Sequence, residues 1–329
     1  MADFLPFVAG LVCLAAATVL WRRKGRARRK LRLTAVLLVI GALPVLIGGG
    51  YWVWFTHRPQ PPPTRQALFE GITYLRDVRS EPRPLVMHIV TVDLDAPDLG
   101  FVVTPGPPAT VARLPLRART TSAFLDEFDV QVAINGDFFT PFYFNSLLDY
   151  YPHEGDPVGV VGFASAEGVI YSRGWPHRPT LYLSPDNRAG MNQAFGPVYN
   201  AISGDFYFIS RGQVHPPDMY RPYHLQPEPR AALGLDEAGR TLFLVAVDGR
   251  QPNYSEGLTV IELGEILREY GVYTAFNLDG GGSVTLVVEG ADGRPMVLNS
   301  PIHGRVPGLE RPVANHLGVR AARIASLHR

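Results

Sequence analysis

Hydrophobic residues follow two different patterns along the 329-residue chain. Up to residue 55 they form two uncharged runs, at residues 4–21 and 33–55, of 18 and 23 residues. Beyond residue 67 they occur in short runs that alternate with polar residues. Long apolar runs predict membrane-spanning helices, whereas short alternating runs predict β-strands. We therefore expect a membrane anchor over residues 1–56, followed by a β-rich domain.

The two apolar runs flank a basic loop, residues 22–32, which contains eight arginines and lysines. Such loops stay in the cytoplasm, so the chain is predicted to leave the membrane on the outer side after residue 56. Three arrangements fit: both runs span, only 33–55 spans as a signal anchor, or the segment is a cleaved signal peptide. We expect a plasma-membrane protein with its domain on the extracytoplasmic side.

A proline-rich linker, residues 57–66, precedes the predicted domain at residues 67–322. Without the basic loop and Asp3, the chain has 23 basic and 29 acidic residues, a net charge of −6. A negatively charged domain binds polyanions poorly, so we expect no nucleic-acid partner. Any phosphate that the domain handles must be bound by a local group of positive charges.

The alternating runs predict strands at 84–95, 99–104, 130–134, 158–163, 169–172, 180–183, 230–236, 241–247, 272–278 and 284–288. One helix is predicted over 122–128 with Ser122 as its N-cap. A second begins with a capping box at Thr259 and Glu262 and ends at Gly271. Residues 213–229 lack periodicity and predict a long loop. The expected fold is α+β, with a mixed, strongly twisted β-sheet and few helices.

Three predicted strands end with an acid beside glycine. These ends are Asn135, Gly136 and Asp137; then Asp248, Gly249 and Arg250; and finally Asn277 and Asp279, followed by Gly280, Gly281, Gly282 and Ser283. Glycine exposes backbone N–H groups, and an unpaired carboxylate is costly to bury in an apolar strand, so these ends predict a site. Tight hairpins are the alternative at residues 135–136 and 280–282. The aromatic run 138–144 predicts a pocket wall or lid.

Several chemistries are excluded by residues that the outer part of the chain lacks. The single cysteine, Cys13, lies in the first apolar run, and the two lysines, Lys24 and Lys30, lie in the basic loop. The predicted domain therefore has no disulfide, thiol nucleophile or Schiff-base lysine. A phosphate-binding P-loop is also excluded, because no Gly-Lys-Ser/Thr follows the glycines.

Arginines accompany the acid-bearing strand ends, at Arg230, Arg250 and Arg311. Because ligand groups gather where strands end, we expect one cleft that contains both signs of charge. Paired carboxylates alone would indicate glycoside hydrolysis. The added guanidinium groups indicate a phosphate or carboxylate on the ligand, since each can bind such a group with two hydrogen bonds. A divalent metal held by the acids is an alternative.

The chain resembles the phosphodiester glycosidase family from about residue 70 to 320. The resemblance is carried by N-G-D-F-F at 135–139, P-V-G at 157–159, A-I-S-G at 201–204, P-R-A-A-L-G-L-D at 229–236, V-D-G-R at 247–250, N-L-D-G-G-G-S at 277–283 and R-P-V-A-N at 311–315. It implies hydrolysis of a sugar-1-phosphodiester at the bond between the anomeric carbon and the phosphate oxygen. The sugar and the alcohol are not identified by it.

The resemblance implies roles for the residues at these motifs. Asp279 would act as nucleophile or base with Asp248 as its partner, and Arg230 or Arg311 would neutralise the leaving phosphate with the N–H groups of residues 280–283. Asn135, Asn277 and Asn315 would orient sugar hydroxyls, and Gly136, Asp137 and Arg250 would complete the substrate site. No cofactor is expected, and a divalent metal is not indicated.

The chain departs from the family pattern at three positions. Asp137 stands where a second glycine is usual, Val284 where a serine or threonine is usual, and His316 where the residue is commonly small. Asp137 either redirects or reduces activity. Two alternatives to the hydrolase therefore remain: a glycan-binding module of the same fold, and a metal-dependent phosphodiesterase that cuts the P–O bond.

Overall fold

The computed structural model describes residues 5–22, 28–109, 114, 116–216 and 224–324. The chain separates into two compact units, Met1–Pro59 with Gln251–Tyr254 and Gln60–Arg250 with Ser255–Arg329. The first unit contains helices α1 (Leu5–Arg22) and α2 (Arg28–Thr56), which cover residues 5–21 and 33–55 of the two predicted apolar runs. Helix α2 begins five residues earlier than predicted, inside the predicted basic loop. The segment Leu31–Thr56 is long and apolar enough to cross a membrane, whereas the apolar segment Gly10–Arg22 is shorter. Residues 23–27 of the predicted basic loop lie outside the described residues.

The second unit contains helices α3 (Thr121–Phe128) and α4 (Val260–Glu269). In the described part of the chain its strands are, in order, β1 (Thr64–Phe69), β2 (Ile72–Arg79), β3 (Leu85–Asp93), β4 (Gly100–Val103), β5 (Leu116–Arg117), β6 (Val132–Asn135), β7 (Phe139–Thr140), β8 (Tyr143–Ser146), β9 (Asp149–Tyr151), β10 (Pro157–Val160), β11 (Phe163–Ala166), β12 (Val169–Arg173), β13 (Thr180–Leu183), β14 (Ala189–Met191), β15 (Asn200–Ser203), β16 (Tyr207–Ser210), β17 (Gln213–Val214), β18 (Arg230–Leu235), β19 (Thr241–Val247), β20 (Thr274–Asn277), β21 (Leu286–Glu289), β22 (Pro295–Val297) and β23 (His316–Arg320).

The largest sheet has the strand order β1-β2-β3-β19-β18-β20-β16-β17 and is covered on both faces. Side chains alternate between the faces of each strand. In β18, Leu233 belongs to the main core, whereas Ala232 belongs to the cluster that also contains Leu267 of α4. The predicted capping box of α4 is present: the Thr259 hydroxyl accepts from the backbone of Glu262, whose carboxylate accepts from the backbone of Thr259.

A second sheet, in the order β22-β21-β6-β23-β4, packs against α3 through Phe124 and Leu125. The predicted N-cap of α3 was wrong by two residues. Thr120 caps the helix, because its hydroxyl accepts a hydrogen bond from the Ala123 N–H. Ser122 lies inside the helix, where its hydroxyl donates to Glu310 (2.5 Å).

The remaining sheets are β12-β11-β15-β13-β14, β5-β10-β7 and the hairpin β8-β9. The α+β class is confirmed, and the strand ladders in the described residues are antiparallel. The predicted strand 158–163 contains most of β10, which pairs with β5 and β7, and reaches only the first residue of β11, which pairs with β12. Of the predicted loop 213–229, residues 217–223 lie outside the described residues.

Neither glycine-containing strand end forms the alternative hairpin. β6 pairs with β21 and β23, and β20 pairs with β16 and β18. β20 therefore belongs to the largest sheet and β21 to the five-stranded sheet. Residues 278–285 carry the chain from one sheet to the other, with a 3-10 turn at Gly281–Ser283.

Candidate active site

The candidate site lies where β20 and β6, from two different sheets, end beside each other. The side-chain N–H of Asn135 donates to the backbone oxygen of Asp279 (2.8 Å), and its Oδ1 accepts from the Thr285 N–H (3.1 Å). The backbone N–H of Asp279 donates to the carbonyl of Gly136 (3.0 Å). Asn135 is fully buried. Its amide therefore joins the two strand ends and positions Asp279, in place of the predicted contact with sugar.

A cleft of about 300 Å³ opens beside this junction. Eight of the fourteen predicted site residues line it: Arg230, Arg250, Asn277, Asp279, Gly280, Gly281, Gly282 and Arg311. The other four lining residues were not predicted individually from the sequence: Phe138, Phe142, Glu228 and Pro229. The structure therefore brings a carboxylate, guanidinium groups and the backbone of the glycine-rich turn together in one cleft, as expected.

Asp279 is the carboxylate of this cleft that is nearest to the glycine-rich turn. Burial raises its pKa from 3.8 to about 6, although hydrogen bonds from Ser283 and the Gly280 N–H and the charge of Arg311 oppose the shift. The Ser283 hydroxyl, in turn, accepts from Nη1 of Arg311 (3.1 Å). A carboxyl group with a pKa this close to neutrality can accept and release a proton under physiological conditions.

Arg311 is held in place from three sides. Its Nε donates to Nδ1 of His303 (3.1 Å), its Nη1 donates to Ser283, and its guanidinium carbon lies 4.5 Å from the ring centre of Phe142. Burial and the charge of Arg311 lower the pKa of His303 to about 4, so this ring is neutral and its Nδ1 can accept. Gly282 allows the close approach, because a Cβ there would lie 2.5 Å from Nη2 of Arg311.

The other two arginines of the cleft differ in how freely they can meet a ligand. Arg230 is buried, and it donates from Nε to the carbonyl of Leu258 (2.9 Å) and from Nη2 to that of Gln226 (2.9 Å). Arg250 pairs with Glu228 through Nε (2.5 Å), and its side chain is 42% exposed. Arg230 therefore contributes a fixed positive wall, whereas Arg250 stands at the mouth of the cleft.

Asn277 presents an acceptor to the cleft. Its side-chain N–H donates to the carbonyl of Leu278 (2.6 Å), which fixes the orientation of the amide. Its Oδ1 is buried and has no hydrogen-bond partner among the described residues. A buried acceptor without a partner is destabilising, so this oxygen suits a hydroxyl or amide donor of a ligand.

Asp248 was predicted to be the catalytic partner of Asp279, but the structure does not place these two residues together in the cleft. Asp248 is buried outside the group of residues that line the cleft. Its Oδ1 accepts from the Ser300 N–H (2.7 Å) and from Asn299 (3.2 Å), and its Oδ2 contacts Nε2 of His88 (3.2 Å). Asn299 also bonds to the backbone at the start of β21. Hydrogen bonds from buried groups of the protein occupy this carboxylate, so Asp248 stabilises the fold near the start of β21.

Asp137 also points into the protein. Its Oδ1 accepts from Nη2 of Arg178 (2.9 Å) and from the Phe138 N–H (2.7 Å), and its Oδ2 accepts from the Gly162 N–H (2.5 Å). Burial raises the pKa of this carboxyl to about 7, against the charge of Arg178. Arg178 bonds in addition to Asp205 (3.2 Å). The predicted contact of Asp137 with substrate is therefore replaced by a buried charge pair.

Gly136 and Asn315 form a close contact behind the cleft. The Gly136 N–H donates to the Asn315 carbonyl (2.9 Å), and a Cβ at position 136 would lie 2.8 Å from that oxygen. The Oδ1 of Asn315 accepts from the Asp137 N–H (2.9 Å), and Asn315 is fully buried. Both residues shape the end of β6, where the Gly136 carbonyl accepts from the Asp279 N–H, and neither lines the cleft.

Several residues of the site gave no individual signal in the sequence. Glu228 lies in the aperiodic segment 213–229, and His303 lies in a 3-10 turn, His303–Arg305. Arg178 has no motif around it. Only the aromatic run 138–144 gave a signal, since Phe138 and Phe142 form the wall that it predicted. Within the described residues, no group of three His, Cys, Asp or Glu side chains is arranged to hold a metal ion.

The fold is that of a glycosidase-type domain. A family model described as phosphodiester glycosidase matches residues 128–320, more than half of the chain, so the chain belongs to the phosphodiester glycosidase family. Strands β1 to β4 precede the matched region but are hydrogen-bonded into the two sheets that form the site. A search of curated proteins finds no significant match.

Two solved structures share this fold. A hypothetical protein from Synechocystis aligns with a TM-score of 0.59 at 15% identity, over 79% of this chain and 64% of its own. The chain thus spans less than two thirds of the length of that protein. The catalytic domain of zebrafish N-acetylglucosamine-1-phosphodiester α-N-acetylglucosaminidase, auto-inhibited by its pro-peptide, aligns with a TM-score of 0.53 at 20% identity, over 80% of this chain and 85% of its own.

Proposed function

We propose that the protein is a membrane-anchored hydrolase that cuts glycosyl phosphodiesters of the cell envelope. The observation that carries the proposal is the arrangement of Asp279, Ser283 and Arg311, which places a carboxylate of raised pKa beside a buried guanidinium and a glycine-rich turn. A carboxylate can act as nucleophile or base at the anomeric carbon, and a guanidinium with backbone N–H groups can bind and neutralise a phosphate. Family membership supports the same reaction.

In the proposed reaction, the oxygen of water ends on the anomeric carbon, and the bond from that carbon to the phosphate oxygen breaks. The bonding electrons leave with the phosphate oxygen, which gives a free sugar and a phosphomonoester. Asp279 either takes the proton of the attacking water or attacks the carbon first, and the anomeric configuration of the released sugar distinguishes these routes. Arg311 neutralises the leaving phosphate, so the departing oxygen needs little protonation.

The membrane part of the proposal is supported by α2. The segment Leu31–Thr56 has the length and composition of a membrane span, and its side chains Leu37 and Ile47 are 60% and 64% exposed. Large exposed apolar side chains along one helix suit contact with lipid. By the positive-inside rule, the basic residues before this segment favour a catalytic domain on the extracytoplasmic side.

The activity is tested with the full chain in detergent and an N-acetylglucosamine-1-phosphodiester, the substrate class named for the zebrafish relative. We expect free sugar and a phosphomonoester, and we expect Asp279→Asn to lower kcat/KM about 1,000-fold. The matched control is Asp126→Asn, because Asp126 is an exposed acid of α3. Release of sugar phosphate with sensitivity to a chelator would assign a P–O-cutting phosphodiesterase. Binding without turnover would assign a glycan-binding module.

The topology is tested separately with the single cysteine. Cys13→Ser removes the native thiol, and Asp292→Cys places a new one in the exposed turn between β21 and β22. A membrane-impermeant maleimide should label this variant in intact cells. Labelling only after lysis would place the domain in the cytoplasm.

A further inference from the structure

The hairpin β8-β9 exposes more apolar surface than a surface hairpin needs. No charged residue occurs from position 139 to 148. Phe142, Tyr143 and Leu147 are 44%, 46% and 46% exposed, and Leu148 is 97% exposed. Hairpins that face water normally carry polar side chains there, so a contiguous apolar surface of this kind marks a binding surface. We refer to residues 142–151 as the apolar hairpin.

The apolar hairpin forms one wall of the cleft. The ring of Phe142 lines the cleft and lies beneath the guanidinium of Arg311. The rings of Phe144 and Tyr150 pack edge-on against His303, with centres 5.2 and 4.9 Å away. His303 accepts a hydrogen bond from Arg311. The base of the hairpin is therefore fixed to the group that would bind the phosphate.

The tip of the hairpin is held in an ordered turn. The side-chain N–H of Asn145 donates to Asp149 (2.9 Å), and the Leu148 N–H donates to the hydroxyl of Ser146 (3.2 Å). These bonds close the turn, in which Leu148 is almost fully exposed and the half-exposed Leu147 lies beside Gly304. An apolar surface thus continues from the Phe142 side of the cleft to an exposed tip.

We propose that the apolar hairpin binds a hydrocarbon chain on the alcohol side of the phosphodiester, so that the substrate is a glycosyl phospholipid. The inference rests on the proposed function. The polar groups Asn277, Asp279 and Arg311 face the sugar and the phosphate, and the apolar hairpin receives the alcohol beyond the phosphate. A helix of membrane-spanning length in the same chain would keep the enzyme at a surface that contains such lipids.

The test uses a series of glycosyl phosphodiesters with one sugar and with methyl, butyl or octyl alcohols, at concentrations below micelle formation. Each methylene removed from water strengthens binding about fourfold, so kcat/KM should rise steeply along the series for the full-length protein. Leu147→Asn and Leu148→Asn should lower kcat/KM for the octyl diester about tenfold and leave the methyl diester unchanged. Met296→Asn is the matched control, because Met296 is 47% exposed on β22 of another sheet.

The possible results of this experiment distinguish between the roles of the apolar hairpin. The lipid inference would be overturned by equal kcat/KM along the series. It would also be overturned if the hairpin variants showed the same chain-length dependence as the wild type. In both cases, hydrolysis of the methyl diester would still support the proposed function. If no diester is hydrolysed, the proposed function fails and the inference fails with it. A flat series combined with a smaller particle mass for Leu148→Asn in light scattering would assign the hairpin to contact with a second copy of the chain.

Discussion

Asp279→Asn should remove activity and at the same time make the folded protein more stable near neutral pH. The carboxylate of Asp279 is ionised above its pKa of about 6, in surroundings where burial opposes the charge. Asparagine has nearly the same shape and no charge to bury. Catalysis needs the charged form, whereas the fold is less stable with it, as expected for a residue kept for function.

The size of the effect follows from the two pKa values. The rise in the pKa of Asp279 from 3.8 to about 6 corresponds to a loss of about 3 kcal/mol of unfolding free energy at pH values above both, relative to pH values below both. Because this pKa is raised, the contribution is stabilising below about pH 4 and is lost as the pH rises through about 6. Asp279 is partly exposed and loses charged hydrogen bonds on substitution, so we expect a net gain of about 1–2 kcal/mol.

Differential scanning fluorimetry of the full chain measures the effect. At about pH 8, Asp279→Asn should raise Tm by a few degrees, since 1 kcal/mol corresponds to about 2–4 °C for a domain of this size. At about pH 4.5 the gain should fall to about a third, because wild-type Asp279 is then largely protonated. Asp126→Asn, a change at an exposed acid of α3, is measured beside it as the control. A gain in Tm that is equal at both pH values, or a loss at pH 8, would refute the reasoning about burial.

Three further changes test other parts of the site. Arg311→Lys should lower kcat/KM about 100-fold with little change in Tm, because one ammonium cannot bind Ser283 and His303 together. Asp248→Asn should cost about 2 kcal/mol in a denaturant titration and leave kcat of the folded enzyme unchanged; a selective loss of kcat would restore its predicted catalytic role. Gly136→Ala should cost about 3 kcal/mol in unfolding free energy, because its Cβ would lie 2.8 Å from a carbonyl oxygen; wild-type stability would contradict this packing.

The features predicted correctly from the sequence are those encoded by neighbouring residues. The capping box at Thr259 and Glu262 needs only a four-residue spacing, and the strands β18 and β19 are predicted from two short apolar runs of at most seven residues. The glycines at 280–282 indicated a backbone that must approach other groups closely, and Gly282 does approach Arg311. Local physics specifies each of these features, so a single sequence suffices for them.

The features that were not predicted depend on residues that are distant in sequence. Asp248 and Asp279 both end apolar strands, and nothing local separates them. Asp248 becomes a structural residue because donors arrive from Ser300 and Asn299, roughly fifty positions away. His303 is only eight positions from Arg311, but no helix or strand of the described residues spans both, so the contact of its Nδ1 with Arg311 depends on the path of the loop between them. Strand partners, such as β20 in one sheet and β21 in another, likewise depend on contacts that periodicity does not encode.

The departure from the family pattern at Asp137 is explained by its surroundings. A carboxylate directed into the cleft would repel the phosphate of a glycosyl phosphodiester, and it would favour a module that lacks turnover. The carboxylate of Asp137 instead accepts from Gly162 and Arg178, which removes its charge from the cleft. Arg178 also pairs with Asp205, so the added acid lies within a compensated buried group. The substitution therefore changes the interior behind Asp279 and leaves the positive charge that the phosphate would meet at Arg311 intact.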